Sequence, residues 1–164
     1  MRKFSCKIKL KEKGVVFMKT PSFGEKSEKV LYKKRLGAYI IVSRKNGTEI
    51  VLVQAPNGAY FLPGGEIEQG ETKEEAIHRE MIEELGIEVV IGEYLGQADE
   101  YFHSRHRSTD YHNPGYFFVA YSWTQIGDPL EKTNTICWVS VDEGIDLLKR
   151  GSHKWAVHKW KRNK

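Results

Sequence analysis

Gly65-Glu-Ile-Glu-Gln-Gly-Glu-Thr-Lys-Glu-Glu-Ala-Ile-His-Arg-Glu-Met-Ile-Glu-Glu-Leu-Gly-Ile87 joins a glycine turn to a helix that gathers three carboxylates on one edge. Thr72 followed three residues later by Glu75 is a capping-box pattern, and no Gly or Pro interrupts the stretch from Lys73 to Leu85. The spacing therefore predicts a helix over about residues 73 to 85, with Gly86 as its stop. On a wheel of about 100° per residue, Glu84 falls about 40° from Glu80 and Glu83 about 60° to the other side. Ile77, Met81, Ile82 and Leu85 occupy the opposite arc and are expected to face the body of the protein.

Glutamates at this spacing repel one another unless something compensates. A hard divalent cation is one compensation, since carboxylate oxygens suit Mg²⁺ or Mn²⁺ and Mg²⁺ commonly joins protein carboxylates to substrate phosphates. Solvent is the other, for an acidic helix edge is most simply a hydrated one. The preceding segment Phe61-Leu-Pro-Gly-Gly65 favours a site, because Pro63 with two glycines makes a tight turn that lets backbone approach a ligand. Arg79, one turn before Glu83, is placed to hold that side chain, and Glu71 reaches the same region from the turn.

The same residues resemble the signature of the Nudix hydrolase family. That signature is a Gly, five residues, a Glu, seven residues, then Arg-Glu-apolar-any-Glu-Glu-any-Gly-apolar. Gly65, Glu71, Arg79, Glu80, Met81, Glu83, Glu84, Gly86 and Ile87 match it without departure. The resemblance implies an α/β Nudix fold, an α/β/α sandwich around a mixed β-sheet. It implies metal-dependent hydrolysis of a nucleoside diphosphate linked to another group. Carried over by residue, Glu80, Glu83, Glu84 and the carbonyl of Gly65 ligate Mg²⁺, or Mn²⁺ in its place. Arg79 orients Glu83, and Glu71 assists near the metal; Glu83 and Glu84 also stand as catalytic candidates. Because a metal-bound carboxylate has little freedom to act as a base, Glu100 and Glu131 are candidates for that role.

A chain of 164 residues with 40% hydrophobic content can bury one substantial core. Residues 34–155 are expected to form the Nudix domain, residues 1–33 an N-terminal extension or hairpin packed on it, and residues 156–164 a basic end. No apolar run approaches the roughly 20 residues of a membrane span, and the basic N-terminus lacks a signal-peptide core, so a cytoplasmic protein without a membrane partner is expected. Cys6 and Cys137 suggest neither a zinc site nor a disulfide framework. The net charge of +4 divides unevenly: residues 1–17 carry +5 and residues 149–164 carry +7, which leaves −8 on the 131 residues between. Basic ends of this kind either bind nucleic acid through salt-sensitive contacts or only solubilise the chain, and no nucleic-acid module accompanies them.

Gly14–Met18 and Lys29–Tyr32 read as a hairpin connected through Pro21-Ser-Phe-Gly24. Strands are predicted at Gly37–Ser43, Ile50–Val53, Ile87–Leu95 with a turn at Gly92, Tyr116–Trp123 and Thr133–Val139. Short helices are predicted from Val141 to near Gly151 and from His153 to Lys161. Asp99 to Tyr116 reads as a loop rich in aromatic and cationic side chains. Tyr101, Arg105, Arg107 and Tyr111 in it are candidates for contact with a substrate, or else pack back on the domain. A small nucleotide, such as an ordinary or oxidised nucleoside triphosphate, is the expected ligand. The alternatives are a nucleotide-sensing module that retains the box without catalysis, and an interaction protein acting through its basic ends. Trp155 and Trp160 belong either to the core or to a subunit contact, so both a monomer and a homodimer are compatible with the sequence.

Overall fold

The computed structural model describes residues 18–164. Gly37-Ala-Tyr-Ile-Ile41 is buried along its whole length, the pattern of a strand covered on both faces. Ala38 and Ile40 enter one core cluster and Tyr39 and Ile41 the other. The same alternation divides Val51 and Val53 from Ile50 and Leu52, and Phe118 from Phe117.

In chain order the strands are β1 (Ser22–Phe23), β2 (Lys33–Lys34), β3 (Gly37–Ile41), β4 (Ser43–Arg44), β5 (Glu49–Gln54), β6 (Tyr60–Phe61), β7 (Gly64–Glu66), β8 (Ile87–Ser104), β9 (Thr109–Gln125) and β10 (Thr135–Ser140). The helices are α1 (Lys73–Leu85), α2 (Val141–Leu147) and α3 (Gly151–Asn163). A mixed sheet runs β1-β8-β9-β3-β7, with β2 beside β9, and a smaller antiparallel sheet runs β10-β5-β4, with β6 beside β5. The Val51 N–H donates to the Val42 carbonyl, tying the two together.

Ala76, Ile77, Met81 and Leu85 of α1 close the first core cluster, and Ala156, Val157 and Trp160 of α3 close the second with Ile145 of α2. The strands thus lie between α1 on one side and α2 with α3 on the other, which is the expected α/β/α sandwich. Trp160 is buried and Trp155 packs against Phe117, so both tryptophans serve the core. α3 passes residue 156 without a break. Among the described residues no helix is long and apolar enough to cross a membrane.

The expected N-terminal hairpin falls partly outside the described residues. Residues 14–17 lie outside the described residues, Lys29–Tyr32 is not a strand, and Ser22–Phe23, read as part of a connection, pairs in parallel with Asp99 and Glu100 of β8. The loop from Asp99 to Tyr116 is also corrected. Its residues form the outer half of the β8–β9 hairpin, paired from Ala98–Gly115 to Ser104–Thr109 around a short tip. Gly92 marks a region of register shifts inside β8 and leaves the strand continuous.

Candidate active site

α1 begins and ends where its sequence says it should. The Thr72 hydroxyl accepts from the Glu75 N–H while the Glu75 carboxylate accepts from the Thr72 N–H. At the other end Gly86 adopts the left-handed conformation at φ 64° and donates to the Ile82 carbonyl. Ile77, Met81 and Leu85 dock on the sheet while Ile82, expected with them, stays exposed, and the polar edge opens onto a cavity of about 610 Å³. Gly64 and Gly65 of β7 form one wall, Glu80, Glu83, Glu84 and Arg79 of α1 another, and Glu131 and Asn134 from the β9–β10 connection a third.

Each charged residue of the box has a definite partner. Arg79 donates from Nε to Glu71 Oε1 at 2.6 Å and from Nη2 to Glu71 Oε2 at 3.0 Å, a two-pronged pair. Its Nη1 reaches Glu80 Oε1 at 3.0 Å and Glu83 Oε2 at 3.2 Å, and its Nη2 also donates to the Glu66 carbonyl. The guanidinium therefore contacts Glu83, but holds Glu71 more closely. That contact keeps the Glu71 carboxyl below its ordinary pKa. Burial pushes the Glu80 carboxyl up against the pull of Arg79. Burial pushes Glu84 up to about 8, opposed by the Gly64 N–H that its Oε2 accepts at 2.9 Å and aided by the charges of Glu80, Glu131 and Glu83.

Burial first, and the neighbouring carboxylates second, thus disfavour the charged forms of Glu80 and Glu84. Among the described residues no three Asp, Glu, His or Cys side chains are already converged on a single point in the manner of a metal cluster. The donor chemistry nevertheless suits a hard cation. All the side-chain donors are carboxylate oxygens, and the Glu80 carboxylate packs directly against Gly65, where any Cβ would overlap Glu80 Oε1.

Of the two base candidates, Glu131 lines the cavity, and its N–H donates to the Glu83 carbonyl. Glu100 is buried elsewhere, accepting the Ser152 N–H at the start of α3, so it caps a helix and does not face the cavity. Tyr101, Arg105, Arg107 and Tyr111 line neither this cavity nor the smaller one beside it. Tyr101 stacks on His112, Tyr111 is buried against Phe102, and Arg105 and Arg107 are exposed near the hairpin tip.

Sequence reading missed Arg35 and Asn134, which line both cavities, and Phe61 and Arg150, which line the smaller one. It also missed His153. This fully buried imidazole accepts the Leu62 N–H at Nδ1, 3.0 Å away, and so holds the strand that leads into the glycine turn. No local pattern marks these residues, because the sheet pairing and the docking of α3 bring them to the box.

A family model described as NUDIX domain matches residues 33–160, and the chain belongs to this family, whose general chemistry is phosphoanhydride hydrolysis. The NAD(P)H pyrophosphatase NUDT13, mitochondrial, of Mus musculus is 28% identical over 130 residues, covering 76% of this chain and 35% of that protein. In three dimensions the chain is similar to the MutT protein from Methanosarcina mazei Go1, with a TM-score of 0.63 and 23% identity over 80% of this chain and 96% of that one. It is similar also to the E. coli ORF135 protein, with a TM-score of 0.61 and 20% identity over 80% of this chain and 91% of that one. The chain spans about a third of the length of the curated relatives first matched.

Proposed function

We propose that the chain is a metal-dependent Nudix pyrophosphohydrolase that cleaves a phosphoanhydride in a small nucleotide, such as an ordinary or oxidised nucleoside triphosphate. The observation that carries this reading is the single cavity into which Gly65, Arg79, Glu80, Glu83, Glu84 and Glu131 all open. Mg²⁺ or Mn²⁺ held by Glu80, Glu83, Glu84 and the Gly65 carbonyl would supply a water of lowered pKa and neutralise phosphate oxygens. The side chains do the rest. Arg79, fixed by Glu71, keeps Glu80 and Glu83 in place against their mutual repulsion. Gly64 and Gly65, without side chains, put bare backbone on the wall of the cavity. Glu131, tied by its N–H to the Glu83 carbonyl at the cavity edge, accepts the proton of the attacking water while the water oxygen bonds to phosphorus and the bridging P–O bond breaks.

The mouse relative is named a pyrophosphatase, which is the same reaction class. The test is hydrolysis of a nucleotide panel with Mg²⁺, with chelator, and by Glu83→Gln, with both products identified and solvent oxygen traced. Turnover that requires metal and falls at least 100-fold in the variant is expected. Undiminished turnover in chelator overturns the mechanism, and tight nucleotide binding without any turnover would identify a sensing module.

A further inference from the structure

The acidic cavity opens beside a second one of about 140 Å³, and the two share Arg35, Gly64, Gly65, Glu84 and Asn134. The second is built differently. Arg150 stands on its wall with its guanidinium 4.0 Å from the ring centre of Phe102 and 5.1 Å from that of Phe61. Its Nη1 donates to Asn113 Oδ1 at 3.2 Å, and among the described residues no carboxylate lies within ion-pair distance. Arg35 uses Nε for Glu66, and its terminal nitrogens have no hydrogen-bond partner among the described residues.

Asn113 joins the two arginines. Only 2% exposed, it accepts at Oδ1 from the Tyr39 hydroxyl as well as from Arg150, and donates from Nδ2 to the Arg35 carbonyl at 2.6 Å. A buried amide must be satisfied, and here all three partners line the second cavity, so its burial fixes that wall. A guanidinium flanked by aromatic rings presents its edge, and the edge of arginine matches the oxygens of phosphate two at a time.

Charge indicates the occupant. The acidic cavity is lined by six glutamates, and of its two arginines, Arg79 is engaged by Glu71, Glu80 and Glu83. The cationic groups left to meet a polyanionic ligand are Arg150, which has no ion pair among the described residues, and Arg35, whose terminal nitrogens stay open beside its pair with Glu66. We propose that these two residues, held by Asn113, form a phosphoryl subsite for a phosphate of the substrate lying beyond the anhydride that is cleaved. This inference rests on the proposed function for the word substrate, whereas the subsite itself does not depend on turnover.

The direct test is calorimetric titration of the full chain with inorganic tripolyphosphate in the presence of a chelator. Binding that weakens with salt is expected in the wild type, and Arg150→Met should weaken it roughly 10- to 100-fold. If Arg150→Met does not fold, Arg150→Lys decides, because a point charge without the two-pronged edge should still lose several-fold. No binding by the wild type, or binding unchanged in a folded variant, overturns the proposal. Kinetics adds a second arm: Arg150→Met should lower kcat/KM for a nucleoside triphosphate roughly 10-fold more than for a nucleotide sugar of the same base. Equal losses would assign Arg150 a packing role and overturn the subsite. Inorganic phosphate competing with the triphosphate more strongly than with the nucleotide sugar would place both free and substrate phosphate there; equal competition argues against it. Absence of turnover on every substrate, with tripolyphosphate binding retained, would sink the proposed hydrolysis and leave the subsite standing.

Discussion

At Gly65 the requirement is for space rather than for backbone freedom, since a Cβ would meet the carboxylate of Glu80 and not backbone. A side-chain end can swing away, so Gly65→Ala should leave the melting temperature nearly unchanged while displacing a proposed metal ligand. We expect turnover to fall at least 10-fold, a split that thermal denaturation and steady-state rates measure together. His153 makes a different kind of demand. Because its Nδ1 accepts the Leu62 N–H, its proton sits on Nε2 and the ring is neutral; burial, then the charge of Arg150, holds its pKa well below 6.5. Above pH 6.5 neither folded nor unfolded chain protonates this residue, whereas below it only the unfolded chain does. Stability should therefore decline as pH falls from 6.5, with a contribution of up to about 1.36 kcal/mol per pH unit. Urea unfolding at pH 7 and pH 5 measures it, and His153→Gln should show a shallower decline. An unchanged decline would assign the acid sensitivity elsewhere.

Among the elements, α1 was legible to its terminal residues because the signals are local: a capping box at one end, a glycine at the other, and an uninterrupted amphipathic stripe between. Those two ends differ in how they would fail. Thr72→Ala removes one hydrogen bond and should cost about 1 kcal/mol. Gly86→Ala places a Cβ at positive φ and against the Gly127 carbonyl, so it should cost more, about 1–2 kcal/mol for the conformation alone. Denaturant midpoints that reverse this order would overturn the cost assigned to the left-handed conformation at Gly86. The β8–β9 hairpin was illegible beyond Leu95 for the opposite reason. Gly92 and Pro114 look like breaks in sequence, yet the first sits among register shifts and the second is paired with Asp99 inside a ladder. The two-residue strands β1 and β2 are too short to show any periodicity and exist because β8 and β9 offer them partners.

For the molecule as a whole, the box could be read in one pass, but its surroundings could not. Arg35, Phe61, Asn113 and Arg150 are scattered over more than half of the chain and meet only when β3 pairs with β9 and α3 docks beneath them. His153 is the link by which that docking reaches the glycine turn, and it gives two neighbouring amides different clocks. The Leu62 N–H is held by an imidazole on α3, while the Gly64 N–H, two residues on, is held by the carboxylate of Glu84 on α1. Hydrogen–deuterium exchange at Leu62 should then follow the lifting of α3 and approach the slowest class in the protein. Exchange at Gly64 should follow the release of one glutamate, and quicken in Glu84→Gln while Leu62 stays slow. Two isotopic signals from a single turn would thus time separately the lifting of α3 and the release of one side chain of α1.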